Sequence, residues 1–219
     1  MRKYAFILLL FFPCALSAQN LGDTIYSTIN RLRQEKADTI IRFGLPDYNV
    51  FIDDTLSGMG IVHPFEIEYL LYKVNNKTYS LKFESYCNMN CDNSGTVVSK
   101  RYEIAGDSLF SWIQNRLTLI KGEEIYPYVY LLNNSNYSYY VPFKHSHEAS
   151  YFVGVYTNGE DICKQFNPDA LEKNIRQIPD NLNYDNNHRT MLREFYFLLK
   201  DFFENTDKKY IFPELPSSL

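Results

Sequence analysis

No stretch of this 219-residue chain is apolar over the roughly 20 residues that a helix needs to cross a bilayer. The nearest approach, Tyr4–Leu16 (YAFILLLFFPCAL), is far too short for a permanent anchor. Basic charge is also scarce. Twenty-two Lys and Arg stand against 26 Asp and Glu, for a formal net charge of −4, and no basic cluster occurs. That balance argues against binding a phosphate backbone and against adhesion to anionic lipid. Catalytic signatures are missing as well: there is no Gly-x-Ser-x-Gly elbow, no phosphate-binding loop and no dinucleotide fingerprint, and no motif calls for a cofactor. Cysteine is sparse, at four residues, and Cys14 lies inside the first apolar run.

What is present begins with an address. Arg2 and Lys3 precede the apolar run, and small residues Ser17 and Ala18 follow it before polar Gln19 and Asn20. This is the three-part layout of a secretory signal peptide. It predicts cleavage after Ala18, a single α+β domain over 19–207 and a loosely held tail over 208–219, with a secreted or periplasmic destination. The alternative is a lipoprotein anchored at Cys14, but Phe11, Phe12 and Pro13 stand where small residues are wanted. Cleavage would leave Cys87, Cys91 and Cys163, an odd count in an oxidising compartment. A bridge between Cys87 and Cys91, across Asn88-Met89-Asn90, has the lowest loop-closure cost, and three reduced thiols are the alternative.

Periodicity predicts an α+β fold, mainly an antiparallel sheet with helices packed on one side. In the first helix, from Asp23 or Thr24, Ile25, Ile29 and Leu32 form a stripe that Ile40 and Phe43 extend, before Gly44 and Pro46 stop it. A short extended piece is expected over 48–52, then a loop over 53–60. Residues 65–74 and 78–84 read as a hairpin turning at Asn75-Asn76-Lys77. A further strand is expected within 97–104. A second helix runs from Asp107 to Gly122, burying Leu109, Ile113, Leu117 and Ile120. Strands follow at 125–132, 137–145 and 151–157, then a short helix at Pro168 and a long one from Asp185 or Asn186. This order suggests two α-β-β-β halves plus C-terminal helices.

Tyrosine is the compositional outlier, at 19 residues. Alternation along 125–131 puts Ile125, Val129 and Leu131 on one side and Tyr126, Tyr128 and Tyr130 on the other. A tyrosine row offers large contact area, few rotatable bonds and polar tips, which suits recognition. Tyr140 and Tyr156, on the following strands, join this candidate surface; the competing reading is that helices cover it. Pro127 and Pro142 place these strands near a sheet edge. His145 and His147, two apart beside Glu148, have a spacing that serves a metal, but no third and fourth ligands are defined. Cys163 lacks a nucleophile signature, and the acidic pairs Asp53-Asp54, Glu123-Glu124 and Glu160-Asp161 are simpler as solvated turns or helix ends. The Asp-hydroxyl-aliphatic triplets at Asp23, Asp38, Asp54 and Asp107 resemble acceptor sites for bacterial protein O-glycosylation, although helix capping also explains Asp23 and Asp107.

The expected function is therefore non-catalytic: a protein that binds a protein or glycan of the cell envelope or extracellular space, of inhibitor or immunity type among other options. A small secreted hydrolase using His145 and His147 is the alternative. Intact-mass analysis of exported material should give a chain beginning at Gln19 without lipid, and an acylated N-terminus at Cys14 would overturn the leader assignment.

Overall fold

The computed structural model describes residues 21–45, 64–87, 94–131, 138–140, 151–175 and 178–209. Helix α1 (Leu21–Gln34) buries Leu21, Ile25, Ile29 and Leu32, the stripe expected from spacing. It ends earlier than that stripe predicts. Lys36 adopts φ 65°, its N–H donates to Arg33 O (3.0 Å), and Ala37 N–H donates to Leu32 O (3.0 Å). This pair of bonds is a Schellman cap, with lysine in the left-handed position that glycine usually fills. The chain is thereby redirected, and Ile40 and Phe43 belong to strand β1 (Thr39–Leu45) instead of a continued helix.

Strand β1 is central to the main sheet. Antiparallel neighbours flank it: β2 (Pro64–Val74) on one side and β8 (Tyr151–Thr157) on the other. Beyond β2 lie β3 (Lys77–Cys87) and β4 (Ser94–Val98), with β5 (Tyr102–Glu103) also on β3; β9 (Asp161–Phe166) closes the far edge beyond β8. The β2–β3 hairpin is as expected, with a two-residue turn. Asn75 (φ 51°) and Asn76 (φ 62°) both take positive φ, which gives a primed turn whose twist matches the strands. The antiparallel α+β class holds. Strand β9 was not foreseen, and the two-halves pattern does not hold. The short strands β6 (Val129–Leu131) and β7 (Ser138–Tyr140) form a separate two-stranded sheet, while β8 and β9 join the main one.

Helices cover both faces of the sheet, which corrects the one-sided packing. On one face α1 packs with Ile40, Leu70, Tyr72, Leu81, Phe83 and Tyr156. On the other, Ile41, Phe43, Tyr69, Leu71, Val153 and Val155 meet α2 (Asp107–Gln114), α3 (Leu117–Gly122) and α5 (Met191–Lys209). Strands β1 and β2 are buried on both sides, so their apolar residues run on without alternation. Aromatic stacking secures α5: Phe203 lies 4.4 Å from Tyr69 and 5.5 Å from Phe43, and Tyr196 lies 4.2 Å from Tyr151, all between ring centroids.

Both longer helices expected from sequence are split in two. The first breaks between α2 and α3. The second separates α4 (Tyr184–His188) from α5, because Thr190 caps α5: its Oγ1 accepts from Arg193 N (3.1 Å), while Glu123 Oε2 accepts from Leu192 N (2.8 Å). Among the described residues no helix is long and apolar enough to cross a membrane. The pieces expected at 48–52 and 53–60 and the tail beyond 209 lie outside the described residues.

Lys36 is exposed, so the cap can be tested without disturbing the core. A left-handed conformation costs an L-residue roughly 1–2 kcal/mol, which glycine avoids, less about 0.5–1 kcal/mol of unfolded-chain entropy. Lys36→Gly should therefore raise stability slightly, and Lys36→Val should lower it. Thermal unfolding should show a shift of about 2–4 °C per kcal/mol, upward for glycine and downward for valine.

Candidate functional site

The segment from Tyr126 to Val129 is extended, yet only its last residue belongs to a strand. Its backbone is satisfied by asparagine side chains instead of a neighbouring strand. Fully buried Asn187 accepts at Oδ1 from Tyr126 N (2.9 Å), and its Nδ2 donates to Tyr126 O (2.8 Å) and Ala170 O (2.9 Å). Asn183 Nδ2 donates to Pro127 O (2.9 Å). Asn181 Oδ1 accepts from Val129 N (3.3 Å) and Asn183 N (3.0 Å), and its Nδ2 donates to Ala170 O (3.0 Å) and Glu172 O (3.3 Å). Leu182 N donates to Val129 O (2.7 Å), completing the seam. An asparagine amide carries the same donor and acceptor as a peptide group, so three of them replace a strand partner.

This seam decides which tyrosines face water. Tyr128 is 2% exposed, and its hydroxyl donates to Pro179 O (2.7 Å), with Lys173 O 3.3 Å away as a weaker alternative acceptor. The expected row is thus corrected at its centre. Tyr128 is a buried anchor because the segment needs one residue pointing into the loop that carries the asparagines. On the opposite side Ile125 packs against the main core as expected and Val129 is half-buried, but Leu131, expected in the core, is 41% exposed. Tyr126 is 48% exposed. Tyr130, half-buried, stacks on Tyr139 across the β6–β7 pair (5.8 Å between centroids, 27° between planes), and Tyr139 is 40% exposed. Leu182, held beside Val129 by its backbone bond, is 55% exposed. Tyr130 and Tyr139, directly opposed, share one face of the small sheet, while Leu131, the next residue of β6, belongs to the other face and Leu182 to the adjoining loop.

Tyr156 also departs from the expected surface. It is 3% exposed, on the α1 face of the main sheet, with Cys163 Sγ 3.5 Å from its hydroxyl. Burial, then Cys163, pushes that hydroxyl well above the usual tyrosine range. Gly154 makes room for the ring, since a Cβ there would lie 2.8 Å from Tyr156 Cε2. Next to it, buried Arg42 makes two hydrogen bonds to Glu68 (2.5 and 2.7 Å) and lies 4.2 Å from the Phe152 ring centre. This is a paired core charge, and its loss on one side only would cost roughly 3–5 kcal/mol. Tyr140 lies in β7, with its backbone paired to Val129. His145, His147 and Cys91 lie outside the described residues, as does the side chain of Cys87, whose backbone ends β3. Cys163 is a free, exposed thiol. Among the described residues no group of three His, Cys, Asp or Glu is arranged to hold a metal ion.

No protein-family model, curated protein or solved structure matches the chain. The geometry of the site is accordingly its own evidence.

Asn187 carries three bonds at zero exposure, and leaving a buried backbone group unpaired costs roughly 1–3 kcal/mol. Asn187→Ala should therefore lower stability by at least about 2 kcal/mol in chemical denaturation. Asn187→Asp, which keeps the acceptor and loses both donor bonds, should not rescue it.

Proposed function

We propose that the mature chain is a secreted or periplasmic binding protein without chemistry of its own, and that it recognises a protein or glycan of the envelope or extracellular space. An inhibitor or immunity role is one form of this reading. The observation that carries it is the stacked Tyr130–Tyr139 pair on one face of the small sheet, with Tyr139 40% exposed and exposed Leu182 on the adjoining loop. These side chains stand on a sheet whose backbone is already secured by Asn181, Asn183, Asn187 and the Tyr128 anchor. Tyr139 and Leu182 belong to neither buried core and Tyr130 rests edge-on against Tyr128, which leaves the outer contact area for a partner. The signal-peptide layout of residues 1–18 supports the location.

Tyr130→Ser with Tyr139→Ser should leave the melting temperature within about 2 °C, the range of surface substitutions. The same variant should lose at least about 90% of what the wild type captures, equivalent to roughly 1.4 kcal/mol, when both are photo-crosslinked in envelope fractions and applied to glycan arrays. Equal capture by the two proteins would overturn the reading, as would failure of the double variant to fold. Leu182→Ser, a change on a loop outside the small sheet, should weaken capture in the same direction.

A further inference from the structure

The main sheet ends at β9, and the phase of its hydrogen bonds shows what that edge offers. Thr157 N donates to Glu160 O (2.9 Å) at the β8–β9 turn, so bonded pairs alternate from there: Val155 with Ile162, Val153 with Lys164, Tyr151 with Phe166. The N–H and C=O groups of Asp161 and Cys163 therefore point away from β8, and neither residue has a backbone partner on that side among the described residues. Register with β8 is unbroken from Tyr156↔Asp161 to Tyr151↔Phe166, and the strand holds no proline. Two common ways of blunting a sheet edge are thus absent.

A third is present. Lys164 shares a face of the edge strand with buried Ile162 and Phe166, so a strand added alongside would cover its charge. Its Nζ donates to Lys121 O (2.9 Å) and Glu123 O (2.7 Å), which are neutral acceptors. An added strand is therefore tolerated only if it brings a carboxylate opposite Lys164.

The chain carries such a strand in β9 itself. When two copies pair antiparallel about a two-fold axis normal to the sheet, opposed residues share a face, so the axis passes beside one residue. Centred on Asp161 or Lys164, it opposes two like charges; centred on Cys163 or Gln165, it opposes Lys164 to an apolar residue. Centred on Ile162, it opposes Lys164 to Glu160 of the second copy at both ends and Ile162 to itself. The outward backbone groups of Asp161 then meet those of Cys163. Glu160 is exposed and has its ion pair with Lys121 through one oxygen, while the Asp161 carboxylate is held by Arg33 and faces no second carboxylate.

We propose that β9 pairs antiparallel with β9 of a second copy about an axis at Ile162, so that the main sheet continues from one molecule into the other. No residue of this edge belongs to the tyrosine surface, so the two readings stand or fall separately.

Sedimentation equilibrium of the exported chain, with thiols reduced, should show a dimer that dissociates on dilution. Glu160→Lys and Lys164→Glu each oppose like charges across the axis, and each should weaken self-association about tenfold. An equimolar mixture of the two variants should recover it, because every contact across the axis is then between opposite charges. Recovery on mixing cannot come from misfolding. Register is read by Asp161→Cys in a Cys87→Ser, Cys91→Ser background, which sets a thiol opposite Cys163 of the second copy at a Cα separation of about 5.5 Å, inside the disulfide range. Oxidised glutathione should link the copies: each pair of thiols loses two electrons and two protons to form one disulfide, and the glutathione disulfide takes them up as two thiols. In the same background with Asp161 kept, the two Cys163 thiols lie two residues off register and should stay unlinked. A chain that remains monomeric at millimolar concentration, no recovery on mixing, or equal crosslinking with and without Asp161→Cys would overturn the proposal.

Discussion

The architecture depends on where α1 stops. The left-handed turn at Lys36 and the 37→32 hydrogen bond convert an amphipathic stripe into two elements that serve different layers. Leu32 stays on the helix and Ile40 lies in the central strand, and both enter the same apolar cluster. Had the helix continued to Phe43, no strand would stand between β2 and β8, and the sheet would separate into a meander and an isolated hairpin. The Schellman geometry thus supplies a reversal that composition does not advertise.

Local elements were legible where one periodicity dominated. The α1 stripe, the β2–β3 hairpin with its Asn-Asn turn, and the apolar side of α5 follow from spacing and turn chemistry alone. The limits of that approach have physical causes. In Thr39-Ile40-Ile41-Arg42-Phe43, apolar residues run together because both faces of β1 are covered, so neither a two-residue nor a 3.6-residue period stands out. Arg42 within that run signals polarity to a reader of sequence, yet in the fold it is neutralised by Glu68 from the adjacent strand. The helix breaks before α3 and before α5 were similarly hidden. The second relies on Glu123, which comes from a distant part of the chain.

The tyrosine-rich region was legible in composition and misleading in alternation. Alternation predicts exposure only when a segment pairs with a strand, and Tyr126–Val129 pairs with amide side chains from residues 181–187. Alternation consequently assigns Tyr128 to an exposed row although it is buried, and nothing in it marks Tyr139 or Leu182. The signal that could have found them was the density of asparagine in NLNYDNNH (181–188), more than helix opening needs. Asparagine can act as a surrogate peptide group, and a cluster of it beside a proline-containing extended segment marks a seam of this kind.

The central strand has a temporal consequence too. One edge of β1 pairs with β2, its immediate neighbour among the sheet strands, but the other edge waits for β8, whose residues 151–157 are synthesised much later. Until then α1 and the β1–β2–β3 meander form a half-built layer with a bare row of amides along Thr39–Leu45, flanked by Ile41 and Phe43 with no helix over them. Such an edge recruits foreign strands. That edge closes only when the C-terminal half pairs with it, so the sheet's completion rests on a contact distant in sequence.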